Sequence, residues 1–563
     1  MLFENSQNWR LSTCSLTLVR TSPRRTSRIL PLIPTESSWL GYIFLLDTER
    51  ELHTQRRARK LDDFPCCRST SRLRPPRGRL RAILQLRPAS GLTKRSSLFK
   101  WSGIVKFKGS VLAASLLFAG WLCLPAHGQI AVKNQGYVPF SEEPINYRSE
   151  NLSDPVAILQ KRIDRGEVKL AYEPNHGYLK SVLENLSIPV NSQTLAFSKT
   201  SFQYKKISPQ FPRALYFNDD VYIGQVHDGK VIEVVSFDPM QGAIFYILDE
   251  KQADHPVFER AELDCTQCHV AAGTRGVPGV LLRSLFTTRS GTQAVPSQSF
   301  ITGQESPFSE RWGGWYVTGT YGSQTHMGNV LVEDKDEPEK IDRAAGANLT
   351  DLSKKFDTSL VLSGKSDVVA HLVLAHQTQM HNLITLTNYQ TRIVLHTAGL
   401  PADARVNSVP NDVRQQYQKP AEQLLRYLLF TDEVPLEAEV KGDSGFAEEF
   451  IARGPRDPQG RSLRDFDLRT RIFKYPCSYL IYNGAFDSLP SQAKEYVYHR
   501  LFEVLTGRDQ SPDFARLTGD TRRAILEILL ATKPGLPAEW SAYKTQMQST
   551  RAGTQQKQIG LRN

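Results

Sequence analysis

Cysteine is scarce in this 563-residue chain. Four of the seven cysteines, Cys14, Cys66, Cys67 and Cys123, fall within the first 128 positions, which leaves Cys265, Cys268 and Cys477 for the rest. Three thiols cannot build a disulfide framework, so the main body must rely on an ordinary buried core. A basic surplus is also missing once charge is counted by region. The formal charge of +12 comes from residues 1–128, with 22 Lys and Arg against 7 Asp and Glu, whereas residues 129–563 carry 48 against 51. That balance gives the main body no phosphate-binding character and excludes nucleic acid as a partner. Residues 129–563 hold no apolar run long enough to span a bilayer. Gly319, Gly322 and Gly328 lack the spacing of a phosphate-cradling loop.

Against this background one pentapeptide stands out, Cys265-Thr266-Gln267-Cys268-His269. Cys-x-x-Cys-His suits covalent attachment of a haem: each thiol can add to one porphyrin vinyl group, and the adjacent imidazole can bind the iron from one face. Here the chain resembles the c-type cytochromes. The resemblance implies haem c as cofactor, Cys265 and Cys268 as its attachment points and His269 as an iron ligand. Two other chemistries use Cys-x-x-Cys. A zinc half-site needs two further ligands, and the sequence has no second Cys-x-x-Cys and no compact histidine pair. A thioredoxin-like dithiol sits in a strand-then-helix context, which the flanks 261–264 and 270–273 do not show.

The leader reads as three pieces. Residues 1–96 are rich in Arg, Ser, Thr and Pro without helical or strand period, so the expectation is a disordered basic segment. Lys100, Lys106 and Lys108 then precede an apolar run over 111–126 that ends on Ala126-His127-Gly128. A basic flank, a short apolar core and small residues at the exit predict a signal peptide over 97–128, cleaved after Gly128. Its distance from Met1 predicts a true start downstream, at a residue such as Leu98 or Val105. An uncleaved segment would instead tether the protein to a membrane. Either way the body is expected outside the cytoplasm, periplasmic or otherwise exported, where the cytochrome resemblance also places haem attachment.

Beyond the leader the pattern predicts an α+β chain. Residues 214–218, 221–226, 231–237 and 243–248 are β-branched and aromatic runs separated by turn residues, an antiparallel meander that precedes the haem motif. Farther on come Arg311-Trp312-Gly313-Gly314-Trp315-Tyr316 and then His326-Met327. In its Trp-Gly-Gly-Trp-Tyr segment the chain also looks like a group of large bacterial single-haem cytochrome c proteins. That resemblance spans most of 200–530 and implies no particular activity. The glycines would let backbone approach a flat object and the aromatics would pack on a porphyrin; a plain β-hairpin core explains them equally well. A charged stretch over 330–356 marks an expected boundary between a β-containing haem region, 129–350, and a mostly helical region, 351–563. Helices are expected over 154–165, 367–395, 420–430, 491–505, 521–530 and 538–547.

The second axial position decides what such an iron does. His or Met there suits electron transfer, and an open position admits small ligands. His326 and Met327 are the first candidates, with Met240 an outside one. His371, His376 and His381 repeat every five residues, which turns successive side chains about 140° apart on a helix, so they cannot converge on one metal. Cys477, in an aromatic run, is expected as a packing thiol. The sequence thus points to an exported one-electron carrier with an unidentified redox partner protein. A mono-haem redox enzyme, peroxidase-like, or a haem-based sensor is the alternative.

Overall fold

The computed structural model describes residues 138–546. The leader, the predicted signal peptide and the proposed start lie outside the described residues. The chain is α+β, built on a seven-stranded antiparallel sheet. The strands are β1 (Thr194–Ala196), β2 (Arg213–Phe217), β3 (Val221–Gln225), β4 (Val231–Asp238), β5 (Gly242–Asp249), β6 (Phe258–Arg260) and β9 (Trp315–Tyr316). Their order is β6-β5-β4-β3-β2-β1-β9. The predicted meander is therefore present as β2 to β5, and a separate two-stranded pair, β7 (Arg283–Leu285) and β8 (Ser299–Ile301), lies beyond the motif.

Alternation along the strands gives the sheet two faces. Ile223, Ile232, Val234, Ile244 and Leu248 bury one face against α1 (Pro155–Asp164), α2 (Leu179–Asn185) and the segment before them. Asp154 caps α1 by accepting from the amides of Val156 and Ala157, and its other oxygen accepts from Tyr246, so this cap also ties the helix to β5. Phe217, Tyr222, Phe237 and Phe245 project from the opposite face into the larger core.

That core is organised by α4 (Val368–Thr397), of whose 30 residues 24 are buried. Asp367 starts it, accepting from Val369 and Ala370 amides through one oxygen and from the amides of Asp443 and Ser444 and the Ser444 hydroxyl through the other. Against α4 pack α5 (Asn411–Leu428), α6 (Phe446–Ala452), α7 (Gly484–Asp487) and α8 (Ser491–Leu505), with α9 (Gly519–Thr532) on α8. The hydrophobic cluster runs without a break from Ala196 on the sheet to Trp540, across the position chosen in sequence as a boundary. Within the charged stretch 330–356, Leu352 is buried and Phe356 stacks on Tyr316 at 5.3 Å.

One sequence expectation needs correction. Helix α5 begins nine residues before the expected 420 and carries Pro420 in its interior. Its first turns are polar, but Val413 and Tyr417 are buried with Leu395 and Ala493, and that packing outweighs the proline. The Trp-Gly-Gly-Trp-Tyr segment is core and edge strand: Trp315 and Tyr316 form β9 against β1, and Trp312 is buried against Phe308 and His326. Its glycines admit neighbouring backbone and small side chains, since a Cβ on Gly313 would lie 2.3 Å from the Leu285 carbonyl and one on Gly314 2.6 Å from Ser198.

No helix among the described residues is long and apolar enough to cross a membrane.

Candidate haem-attachment site

The motif is launched from the sheet. Strand β6 pairs with β5, the Ala261 amide donates to the Phe245 carbonyl at 2.9 Å, and the chain then turns into α3 (Glu262–His269). A strand followed by a helix does therefore surround Cys-x-x-Cys, contrary to the reading of its flanks. The strand has only three residues, too few to register in sequence. The placement within the helix nonetheless differs from that of a redox dithiol. Cys265 and Cys268 occupy the fourth and seventh positions of the helix, away from the amides at its start that lower a thiol pKa. Cys265 is pushed up to about 12 by burial, and Glu233, Asp264 and Cys268 raise it further. It is a protonated thiol at neutral pH, whereas an exchange-active cysteine needs a thiolate.

At a spacing of three residues both sulfurs share one face of α3. Cys265 sits half-buried at the margin of the large core with Leu215 and Val235, and Cys268 is exposed; neither thiol is paired. No residue of α3 is fully buried: Cys265 and His269 are half-buried, and Leu263 is 68% exposed. Beneath it the sheet face is only half covered. Arg213, Leu215, Glu233, Val235 and Ile247 are partly open, although the same face is sealed by α4 farther along. Gly224 makes a dip in this face, and Arg213 and Glu233 reach over it to pair at 2.8 Å. Glu233 also accepts from Ser201 and Gln203.

His269 ends the helix. Its Nδ1 lies 2.8 Å from the carbonyl oxygen of Gly279, and its ring is 5.0 Å from Phe245. A carbonyl only accepts, so Nδ1 carries the proton and Nε2 keeps its lone pair. Burial lowers the pKa of the imidazole; the Gly279 carbonyl opposes that shift, Arg213 adds to it and Glu233 opposes it. The ring is thus held neutral, in the tautomer that binds a metal through Nε2. The loop that supplies the acceptor folds back on the helix end: the Gly279 amide donates to the His269 carbonyl at 3.0 Å, and Thr274 Oγ1 donates to the same oxygen at 3.2 Å.

The candidates for the other axial position lie elsewhere. His326 is buried, accepts at Nδ1 from the Gly328 amide at 2.9 Å and donates from Nε2 to Tyr321 Oη at 2.7 Å. Burial, followed by His371, lowers its pKa to about 3. Met327 is buried with Phe286, Ala294 and Val332, its sulfur 3.7 Å from Ser284 Oγ. Met240 is exposed in the turn between β4 and β5. The His269 ring meets Phe245 and Gly279 and is polarised by Arg213 and Glu233, whereas His326 and Met327 are packed among other partners and Met240 is exposed.

The five-residue histidine series diverges, as its angular spacing requires. His371 packs on Trp312 and Trp315 and meets Ser366 and the Tyr316 carbonyl through Nε2. His376 lies between Gln304 and Ser478, 2.7 Å from each, with its ring stacked on Phe430 and Tyr427. His381 packs on Phe237 at 3.9 Å and meets Tyr222 Oη at 3.0 Å. Cys477 is buried in the same core, and burial raises its pKa. Among the described residues no three His, Cys, Asp or Glu side chains converge as a set for a bare metal ion.

Sequence reasoning missed Gly279, Phe245 and the Arg213–Glu233 pair. Only Gly279 left a trace, as the glycine of the Pro278-Gly279 dipeptide ten residues after the histidine. Comparison with protein-family models, with curated proteins and with solved structures finds no match to this chain.

Proposed function

We propose that this protein is an exported c-type cytochrome that carries one covalent haem on Cys265 and Cys268, with His269 as axial ligand, and transfers one electron at a time. The observation that carries the reading is the bond from His269 Nδ1 to the Gly279 carbonyl, 2.8 Å long, which leaves Nε2 as the only lone pair of the ring. The residues present suit the group. The thiols are unpaired, share a helix face and stand beside a half-open sheet face that carries Leu215, Val235 and Ile247 together with the Arg213–Glu233 pair. When bound, a c-type haem supplies a metal that holds one electron reversibly.

The rest is done by the chain. Cys265 and Cys268 fix the cofactor to α3, so its position does not depend on affinity alone. His269 donates electron density through Nε2, and Gly279 increases that donation by accepting at Nδ1. Phe245 limits rotation of the imidazole from one side. Arg213 and Glu233 place compensating charges next to the site. The predicted signal segment and the attachment chemistry together favour the periplasm or another exported location, with a redox protein as partner and a membrane tether if the segment is retained.

One observation favours a second reading. His326 spends both ring nitrogens on Gly328 and Tyr321, and the Met327 sulfur is buried beside Ser284. If neither reached the iron, the site would admit small ligands, as in a peroxidase-like mono-haem enzyme or a haem-based sensor.

Expression in a host that attaches haem to exported proteins tests both readings. Haem that stays on the polypeptide through denaturing electrophoresis is the expected result. Covalent haem on the Cys265→Ser, Cys268→Ser double variant, or none on the wild type, overturns the proposal. Spectra with carbon monoxide separate the roles: an unresponsive low-spin form supports electron transfer, and a high-spin form that binds the gas supports the open site.

A further inference from the structure

Asn382 lies on α4, fully buried and far from the motif in sequence. Its side-chain amide makes two bonds to one peptide: Oδ1 accepts from the Val280 amide at 3.1 Å, and Nδ2 donates to the Val280 carbonyl at 2.7 Å. A side chain that satisfies both backbone groups of one residue acts as a strand partner would, and it fixes the direction of the adjoining peptides. The preceding residue is Gly279, whose carbonyl accepts from His269 Nδ1 at 2.8 Å. The fit is too close for any side chain at 279, since a Cβ there would lie 2.1 Å from Asn382 Oδ1 and 3.3 Å from Thr274.

We infer that Asn382 is a positioning residue for the haem site: by clamping Val280 it aims the Gly279 carbonyl at His269 and thereby sets the plane and the donor strength of the imidazole. The inference rests on the haem reading above. A carbonyl held in line with Nδ1–H draws on that proton and makes Nε2 a stronger donor, which favours the ferric state. Release of the clamp lets the peptide rotate, weakens that bond and moves the balance toward the ferrous state. Asn382 touches neither the thiols nor the metal-binding nitrogen, so covalent attachment is expected to survive its replacement.

The test uses the full chain, with Asn382→Leu, which removes both bonds, and Asn382→Asp, which keeps the acceptor and removes the donor. Thr387→Val serves as control, because that buried hydroxyl on the same helix bonds only the carbonyls of Leu383 and Pro420. Redox titration should show both Asn382 variants with covalent haem retained and a higher midpoint potential, by roughly a tenfold shift in the ferric/ferrous ratio or about 59 mV. The control should match the wild type. Hydrogen exchange supplies a readout independent of haem. In the Cys265→Ser, Cys268→Ser background, amides over 275–281 should exchange at least several-fold faster with Asn382→Leu than without it. Folded Asn382 variants with wild-type potential and wild-type exchange overturn the inference. A wild type that carries no covalent haem overturns the functional reading and the tuning with it, and exchange still decides whether Asn382 holds the loop. Should Asn382→Leu fail to fold, the potential of Asn382→Asp decides.

Discussion

Helix α4 buries 24 of its 30 residues, whereas α3 buries none of its eight. Both carry histidine, and His376 on the one is held differently from His269 on the other. His376 on α4 uses both nitrogens within the protein and is sealed by stacked aromatic rings. On α3, His269 uses one nitrogen on a backbone carbonyl and retains the other. On α4 His371 Nδ1 and His381 Nε2 are buried without a hydrogen-bond partner, so the full pairing of His376 is particular to its site. The arrangement on α3 leaves one nitrogen lone pair uncommitted. The same division applies to cysteine, since Cys477 is buried in the core while Cys265 and Cys268 border solvent.

The largest expected effect comes from removing the thiols of the exposed helix. Cys265→Ser with Cys268→Ser should abolish haem that survives denaturation while changing the melting temperature of the haem-free chain by no more than a degree or two, since α3 contributes no buried side chain. A large loss of stability in the haem-free chain would break the contrast between the helices.

Acid should act on the buried side of the comparison. His326, His371, His376 and His381 are all lowered to about 3, each chiefly by burial. The unfolded chain takes up these protons near pH 6.5 and the folded chain does not until about 3. The stabilisation is therefore complete above about 6.5 and is lost as pH falls toward 3, by at most about 1.4 kcal/mol per pH unit for each histidine. Urea unfolding at pH 7.5, 5.5 and 4.5 should show a steep decline, and a flat profile would mean that these histidines are not buried neutral.

A smaller effect is expected at the start of α4. Asp367→Ala removes the cap and three further bonds to the 443–444 turn, and should cost about 3 kcal/mol in denaturant unfolding. The smallest belongs to the exposed side. Arg148→Ala breaks the pair with Glu262 at the start of α3, where the arginine is mostly exposed, and should change stability by less than about 0.5 kcal/mol.

What could be read in the sequence was what is local. The alternation in 231–238 and 242–249 reflects one face more buried than the other, and the apolar content of 368–395 marks a long helix directly. The divergence of His371, His376 and His381 followed from helical geometry alone. Elements defined by distant partners were not legible. β1 is three residues long and β9 two, and they exist because Leu195 pairs with Tyr316. The first half of α5 is polar and declares itself only through Val413 and Tyr417. At the site, Cys265, Cys268 and His269 were local and legible, whereas Phe245 and the Arg213–Glu233 pair reach it through the sheet.

The sheet ends at β6 on one side and at β9 on the other, strands of three and two residues. The long strands β4 and β5 are paired along both sides or flanked by chain, so few backbone groups are left in line for a neighbouring molecule to extend. Ending a strongly apolar sheet in two stubs leaves little edge for a second copy of the chain to extend.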